Sequence, residues 1–499
     1  MRKLDLAQAL AAAFGHLEAQ RLAEAKRLAR DIERAQPSLP GLRYLQGLLA
    51  LAEGEGRKAA QYLVKALAQT PDAAPPLLAM ARAQAQQQRH GAAATVYRRL
   101  IVLWPALAEA YDELGSSYSA RGQMDAAALC WDRATTVRPD WARVWNRLGA
   151  AQCSLSRWDA AALSFSRAIA ADGSLAKAYV NLSALLRRKK RAEEGVALAR
   201  EAVTLEPSEA GHWLELGQAE RDGGDFSAAV LAFREAARLD AGSLEAIWLE
   251  AECLAAQGQC DDALAAYRRL LAQDPGDRFG VTLVVAGLGA SAPPAKAPEA
   301  FIRTLFDQYA DGFDRDLVAG LHYRGPEVLS DAIRRALGAG PFDIFDVGCG
   351  TGLLGAALRS LATRLDGVDL SPRMIAKARE RELYDRLFEG DLVTALKAHP
   401  AAYDLVAAAD VLIYLGDLSA VFAAAAKALR PGGAFAFTVE AHGGEGFVLQ
   451  ESRRFAHGRD YLHQLAMGSG FVPVLREDKA VRDDRGRPVP GYVIVLRRN

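Results

Sequence analysis

The first half of the chain repeats itself every 34 residues. A proline, or a small residue in its place, recurs at this interval: Pro37, Pro71, Pro105, Pro139, Gly173, Pro207, Ala241 and Pro275. Proline cannot donate the backbone hydrogen bond that continues a helix, so each marks the end of a helical unit. One such unit cannot bury its apolar face alone, and neighbouring units must therefore stack. The period predicts an all-α superhelix with a concave surface.

The apolar and small residues inside the period support this prediction. The unit that starts near residue 108 places Tyr111, Leu114, Gly115, Ala127, Trp131 and Ala134 at offsets that later units repeat. This pattern resembles the tetratricopeptide repeat family, over about eight units between residues 4 and 275. The resemblance implies a helix–turn–helix unit and a groove that recruits a protein or peptide partner.

Polar residues on the first helix of each unit are candidates for lining that groove. Asn146 and Asn181 could bind a peptide backbone, because an amide side chain both donates and accepts hydrogen bonds. Simple solvation is the other interpretation. The basic run at 187–191 is either a solvated loop or a docking patch for an acidic partner.

Charge and composition exclude several classes of protein. Lys plus Arg equals Asp plus Glu at 61 each, and this balance argues against nucleic-acid binding. Five cysteines without metal-ligand spacing favour reduced thiols, and no metal site is predicted. Residues 1–5 lead into an alanine-rich helix without a signal-peptide layout, and no apolar run is long enough to span a bilayer. We therefore expect a cytoplasmic protein that does not bind membranes.

The second half has a different pattern. Residues 287–298 are rich in Gly, Ala and Pro, so we predict a repeat domain at 1–275, a linker at 276–300 and a second domain at 301–499. Short apolar runs then alternate with helical segments, which predicts a doubly wound α/β (Rossmann-like) sheet. The predicted strands are 342–347, 365–370, 403–408 and 434–439, closed by 472–476 and 492–497 with a turn at 483–486. Ligands of such sheets bind outside the carboxyl ends of the strands.

A glycine turn follows the first predicted strand. Residues 350–355 satisfy the dinucleotide pattern, so a nicotinamide cofactor is one interpretation. The acid Asp346 before the turn and the triplet at 390–392 favour a different cofactor. Their order resembles that of the class I S-adenosylmethionine-dependent methyltransferases.

This resemblance implies a set of cofactor-binding residues. Asp346, Gly348, Gly350 and Gly352 match the family's first motif, with Cys349 as small filler. Asp369 would hold the ribose hydroxyls, although a helix N-cap is its other interpretation. Met374 would pack on adenine, and Asp391 would lie near the adenine amino group. The full predicted set adds Tyr309, Leu370, Gly390, Leu392 and Ala408.

Segments 306–314, 321–326 and 452–461 resemble bacterial methyltransferases that carry tetratricopeptide repeats. The resemblance implies the domain architecture and the cofactor, but it does not identify the methyl acceptor. The methyl group is transferred from the sulfonium in a direct displacement, so the enzyme chiefly has to align the donor with the acceptor. A hydroxyl or amine acceptor also needs a general base. The base candidates are His457, Tyr414, Tyr309, His442 and Asp410. His457 has the most suitable intrinsic pKa, although a surface or capping role is equally consistent with the sequence.

The candidate substrate-binding residues are Tyr323, Arg453, Arg454 and Tyr461, in addition to the two asparagines of the repeats. The two arginines either hold an anionic substrate or are surface charges. Residues 408–411 lack an Asn-Pro-Pro-Tyr tetrad, which argues against exocyclic amines of nucleic-acid bases and glutamine amides as methyl acceptors. We therefore expect a methyltransferase whose repeats recruit a protein, peptide or peptide-like substrate. The alternatives are a small-molecule methyltransferase with repeats for dimerisation or docking, and a cofactor-binding adaptor without turnover.

Overall fold

The computed structural model describes residues 5–315, 323–484 and 486–499. Residues 1–4 of the N-terminus, Leu321 and His322 of the segment 321–326, and Arg485 of the predicted turn lie outside them. The chain divides into two compact units, 1–246 and 247–499. None of the described helices is both long and apolar enough to cross a membrane.

The described part of the first unit consists of consecutive helix–turn–helix pairs. Their bounds are α1 Leu6–Glu18, α2 Leu22–Ala35, α3 Leu42–Ala52, α4 Gly56–Gln69, α5 Ala74–Gln86, α6 His90–Leu103, α7 Ala108–Ser119, α8 Met124–Val137, α9 Ala142–Ser154, α10 Trp158–Ala171, α11 Ala176–Arg188, α12 Ala192–Leu205, α13 Ala210–Asp222 and α14 Phe226–Leu239. Each helix packs on the next one along the chain.

A glycine on the first helix of a pair lets the second helix approach closely. A Cβ added at Gly115 would lie 2.8 Å from the indole nitrogen of Trp131, and one at Gly149 would lie 2.5 Å from the Phe165 ring. Both aromatic side chains are buried in the space that the glycine leaves. The predicted tetratricopeptide fold is confirmed, and its small and large residues form complementary pairs.

Polar side chains of adjacent repeats bind one another. Asn181 donates to the side-chain oxygen of Asn146 at 2.8 Å, and Arg147 donates to the Asp112 carboxylate at 2.6 Å. The two asparagines proposed to bind a peptide therefore already satisfy part of their hydrogen-bonding capacity within the first unit.

The basic run at 187–191 is also bound internally. Arg187 pairs with Glu215 at 2.9 Å, and the Arg188 guanidinium lies 4.2 Å from the centroid of the Trp158 ring. These contacts favour a structural interpretation of the run over a docking patch.

The second unit contains the last helical pair and the α/β sheet. Its helices are α15 Leu244–Ala256 (which begins in the first unit), α16 Cys260–Gln273, α17 Val281–Gly287, α18 Glu299–Tyr309, α19 Phe313–Arg315, α20 Gly325–Leu337, α21 Leu353–Leu358, α22 Pro372–Glu380, α23 Leu392–Ala398, α24 Ser419–Ala428 and α25 Arg459–Gly468. Its strands are β1 Phe342–Val347, β2 Ala362–Asp369, β3 Arg386–Glu389, β4 Tyr403–Ala408, β5 Leu429–His442, β6 Phe447–Leu449, β7 Phe455–Gly458, β8 Phe471–Asp478, β9 Asp483–Asp484, β10 Arg487–Pro488 and β11 Gly491–Arg498.

The main sheet has the strand order β3-β2-β1-β4-β5-β11-β8. Strands β1 to β5 run parallel, and β11 and β8 close the sheet as an antiparallel pair. The predicted doubly wound fold and closing pair are confirmed. A hairpin of β6 and β7 joins β5, and β9 pairs with β10 where a turn was predicted.

Alternating side chains of the central strands build two apolar layers. Phe345 and Val406 point to one layer, and Ile344 and Leu405 to the other. Helices α23, α24 and α25 cover the first layer, whereas α20 and α21 cover the second. Strand β5 begins at Leu429, five residues before the strand predicted at 434–439, and its register with β4 shifts between Tyr403 and Leu405.

The end of the predicted linker is part of the second unit. The Ala297 N–H donates to the Tyr414 carbonyl at 2.8 Å, and the Gly416 N–H donates to the Ala295 carbonyl at 2.8 Å. Lys296 forms a β-bridge with Leu415 between these bonds. Residues 295–297 are therefore an added strand segment and not a free hinge.

Candidate functional site

The turn after β1 presents bare backbone at the edge of the sheet. Gly348, Gly350 and Gly352 have φ values of 73°, 54° and 92°, which lie in the left-handed region that favours glycine. A Cβ at Gly348 would lie 2.4 Å from the Val411 side chain, whereas one at Gly350 would meet no atom within 4 Å. Gly348 is thus required by packing, and Gly350 faces open space.

That open space is a cavity outside the carboxyl ends of the parallel strands, where the fold predicts a ligand. Residues from the predicted set line it: Tyr323, Gly348, Cys349, Gly350, Asp369, Leu370, Gly390, Asp391, Leu392, Asp410, Tyr414 and Arg454. Lining residues that were not predicted include Lys296, Ile302, Phe306, Phe313, Val411, Leu415 and Arg482.

Asp369 lies at the end of β2, against the glycine turn. Its Oδ2 accepts the Gly350 N–H at 2.9 Å, and its Oδ1 accepts the Ser371 N–H at 2.9 Å. Burial raises the pKa of this carboxyl, and the backbone donors oppose the rise. The N-cap of α22 is Ser371, whose hydroxyl accepts the Met374 N–H, so Asp369 does not cap the helix.

Asp391 lines the cavity at the start of α23 and follows Gly390, whose N–H donates to the Asp369 carbonyl at 2.9 Å. Its Oδ1 accepts both the backbone N–H and the hydroxyl of Thr394 at 2.9 Å, which makes it the N-cap of that helix. Its Oδ2 has no hydrogen-bond partner among the described residues. This oxygen can accept a bond from a ligand.

Asp346 is buried beneath the glycine turn and does not line the cavity. The Tyr384 hydroxyl donates to its Oδ2 at 2.7 Å, and its Oδ1 is buried and has no partner in the part of the chain that the structure describes. Burial raises the pKa of Asp346 to about 7. A buried, half-satisfied carboxyl is costly and is typical of a functional site.

Four other predicted cofactor residues do not line the cavity. Met374 and Ala408 are fully buried in the core, and Gly352 packs against the side chains of Arg381 and Tyr384. Tyr309 is 53% exposed on α18. The apolar walls near Asp391 come instead from Leu370 and Leu392.

Residues 299–315, here called the strap, cross the cavity beside the glycine turn. The Ser371 hydroxyl donates to Asp307 at 2.5 Å, and the Thr351 hydroxyl donates to Asp314 at 2.5 Å. Arg381 forms an ion pair with Asp314 and donates to the Thr351 carbonyl at 2.7 Å. The strap is thus tied to the segments that follow β1 and β2.

Charged side chains alternate at the end of the cavity that β4 and β5 form. Arg482 binds both Asp410 and Glu440, and Arg454 lies 3.5 Å from the same Glu440 oxygen. Asp410 has a φ of 58°, and its N–H donates to Thr438. Arg482 and Glu440 were not predicted as site residues, because neither belongs to a recognisable sequence motif.

Two phenols adjoin this cluster. Burial raises the pKa of Tyr323 well above its ordinary value, and it also raises the pKa of Tyr414. Both hydroxyls therefore keep their protons at neutral pH. Neither hydroxyl has a hydrogen-bond partner among the described residues. Tyr414 is therefore suited to donate a hydrogen bond and poorly suited to the role of base.

His457 is buried away from the cavity. Its Nε2 lies 2.9 Å from the Leu415 carbonyl and 3.1 Å from that of Gly416, so it carries the proton and donates to both. Burial lowers the pKa of His457 to about 4. This geometry does not fit the predicted role of base, because the ring has no access to an acceptor.

Two residues that were predicted to bind the substrate are also engaged in structural contacts. The Tyr461 hydroxyl accepts the Leu418 N–H at 2.9 Å and lies 3.2 Å from Asp417. The Arg453 guanidinium lies 5.1 Å from the centroid of the Trp248 ring. Of the two arginines considered for an anionic substrate, only Arg454 lines the cavity.

Comparisons with known proteins agree with this architecture. A family described as a methyltransferase domain matches residues 345–435. Two tetratricopeptide repeat families match residues 44–108, 113–176 and 214–278, and residues 176–209. The chain therefore consists of tetratricopeptide repeats followed by a class I methyltransferase domain, as predicted.

Three curated methyltransferases each match a part of this chain. The human methyltransferase-like protein 27 is 44% identical over 85 residues, which are 16% of this chain and 34% of that protein. The ubiquinone biosynthesis O-methyltransferase of Thiobacillus denitrificans is 32% identical over 21% of this chain and 47% of its own length. The malonyl-[acyl-carrier protein] O-methyltransferase of Hahella chejuensis is 38% identical over 24% and 42%. The chain thus spans less than half the length of these relatives.

Proposed function

We propose that the protein is an S-adenosylmethionine-dependent methyltransferase that methylates an oxygen atom. The observation that carries the proposal is the Asp369 carboxylate, which lines the cavity next to the bare Gly350 backbone. Two ribose hydroxyls can donate to such a carboxylate, because each of its oxygens keeps a free lone pair. A sulfonium cofactor supplies an activated methyl group when it is bound.

The remaining residues of the cavity fit the other parts of that cofactor. Leu370 and Leu392 offer apolar surface for a base, and the free Oδ2 of Asp391 can accept from an exocyclic amine. A cation bound at the glycine turn would favour the ionised form of the buried Asp346 carboxyl. Gly350 allows close backbone contact, because any side chain there would project into the same space.

The end of the cavity that contains Asp410 and Tyr414, here called the acceptor end, can position a substrate oxygen and receive its proton. Tyr323 and Tyr414 can donate hydrogen bonds to the acceptor. Asp410, held by Arg482, is the carboxylate that can accept a hydroxyl proton. The names of two relatives, both O-methyltransferases, support an oxygen acceptor.

Binding of the cofactor is the first test. Calorimetric titration with S-adenosylmethionine should give a saturable complex, and Asp369→Ala should weaken it at least about tenfold, because it removes a charged hydrogen-bond acceptor. Asp331→Ala, an exposed carboxylate on α20, is the matched control. A folded wild-type protein that binds neither S-adenosylmethionine nor S-adenosylhomocysteine would refute the proposal.

We further propose that the repeats bring a protein-borne or peptide-like acceptor to the domain. Tetratricopeptide repeats support this role because stacked units expose an extended binding surface. An extract of the source cells, incubated with the protein and methyl-labelled cofactor, should show label in the macromolecular fraction. Label confined to small molecules would instead favour a small-molecule methyltransferase whose repeats serve assembly.

A further inference from the structure

The ion-pair cluster at the acceptor end contains hydrogen-bond donors that have no acceptor among the described residues. Asp410 and Glu440 each accept from Arg482, so both carboxylates are already bound by a guanidinium. Among the described residues, the Arg454 guanidinium contacts only Glu440, at 3.5 Å, and 23% of the side chain remains exposed on the cavity wall. A ligand that enters this end therefore meets a guanidinium with unused N–H groups.

Three further donors belong to side chains that line the same cavity. The Nε–H of Arg482 is buried and has no partner among the described residues, and the residue is only 4% exposed. The hydroxyls of Tyr323 and Tyr414 have no partner among the described residues. Buried donors without acceptors are costly, and an anion satisfies several of them at once.

We propose that the acceptor carries a carboxylate on an apolar body, and that Arg454 binds this carboxylate at the end of the cavity. The apolar body would lie against the walls that Phe306, Val411 and Leu415 form. An ammonium group at the same place would compete with Arg482 for the two carboxylates and would lie beside the positive charge of Arg454. This inference rests on the proposed function and specifies its substrate class.

Three probes of equal length and different charge test the proposal: hexanoate, hexanamide and hexylamine. Each is titrated into the full-length protein, with and without saturating S-adenosylhomocysteine. Hexanoate should bind at least about tenfold more tightly than hexanamide, the factor expected for one charge-assisted hydrogen-bonded pair. Arg454→Gln should abolish this preference, whereas Arg454→Lys should keep part of it. Arg459→Gln, an exposed arginine paired with Asp478, is the matched control.

The outcomes separate the two proposals. Equal binding of the three probes, tighter binding of hexylamine, or a carboxylate preference that survives Arg454→Gln would overturn the carboxylate site. The titrations without S-adenosylhomocysteine give this answer even if the cofactor does not bind. Absence of cofactor binding by the wild-type protein would instead contradict the proposed methyltransferase activity.

Discussion

Arg453 lies with its guanidinium 5.1 Å from the centroid of the Trp248 indole and 3.4 Å from the Glu252 carboxylate. Trp248 belongs to the last helical pair, and Arg453 belongs to the turn between β6 and β7. The neighbouring residue Arg454 lines the cavity. One turn of the chain therefore contacts the terminal repeat and the candidate acceptor site at the same time.

Removal of this contact should loosen the hairpin. A cation–π pair at a partly exposed site is worth about 0.5–1 kcal/mol, so Arg453→Ala should speed hydrogen exchange in β6 and β7 about two- to fivefold. Arg188→Ala removes a comparable contact with Trp158 in the first unit and should leave these strands unchanged. Equal exchange in Arg453→Ala and wild type would show that the contact does not hold the hairpin.

The glycine turn should not tolerate a side chain at its first glycine. Gly348→Ala combines a left-handed φ with a Cβ 2.4 Å from Val411, so it should cost about 1–3 kcal/mol of unfolding free energy. It should also displace the turn and weaken S-adenosylhomocysteine binding. Gly443→Ala, where a Cβ meets nothing within 4 Å, is the control for urea denaturation and calorimetry. Equal stability of the two variants would contradict the packing described for Val411.

Asp346 should destabilise the protein as its carboxyl ionises. Its pKa is about 7 in the folded state against 3.8 for the free group, so the folded state holds the proton more tightly. Stability should therefore fall as the pH rises between these values. Relative to Asp346→Asn, the wild type should lose roughly 2 to 3 kcal/mol between about pH 5 and about pH 8. Urea denaturation at both pH values measures the difference, and a difference that does not change with pH would contradict the burial of this carboxyl.

His457 should have the opposite effect. Burial lowers its pKa from 6.5 to about 4, so the unfolded chain binds the proton more tightly. The stability from the neutral ring is present above the unfolded pKa and is lost as the pH falls towards the folded one. Relative to His457→Asn, the wild type should lose roughly 2 kcal/mol between about pH 7 and about pH 5. His463→Asn, an exposed histidine on α25, is the control. Absence of this difference would mean that His457 can be protonated in the folded protein.

The strap should control release of the cofactor. Asp314→Asn removes the ion pair with Arg381, and because both groups are partly exposed we expect only a few-fold faster dissociation of S-adenosylhomocysteine. The effect should shrink at high salt, which screens the wild-type pair. Stopped-flow dissociation measures it, with Asp331→Asn as the control. Unchanged dissociation would show that the strap does not cover the bound cofactor.

Local periodicity and glycine at fixed positions were sufficient to predict the repeats, the doubly wound sheet and the glycine turn. The same patterns placed Asp369 and Asp391 at strand ends, where parallel topology brings them to one edge. Which polar side chains reach the cavity depends on the packing of the whole chain. His457 and Arg453 matched local patterns, yet burial and the contact with Trp248 hold them elsewhere. Arg482 and Lys296 belong to no motif, and they line the site because residues far apart in the chain pair beside β4 and β5. Burial and long-range pairing are properties of the packed chain, and a local sequence pattern does not contain them.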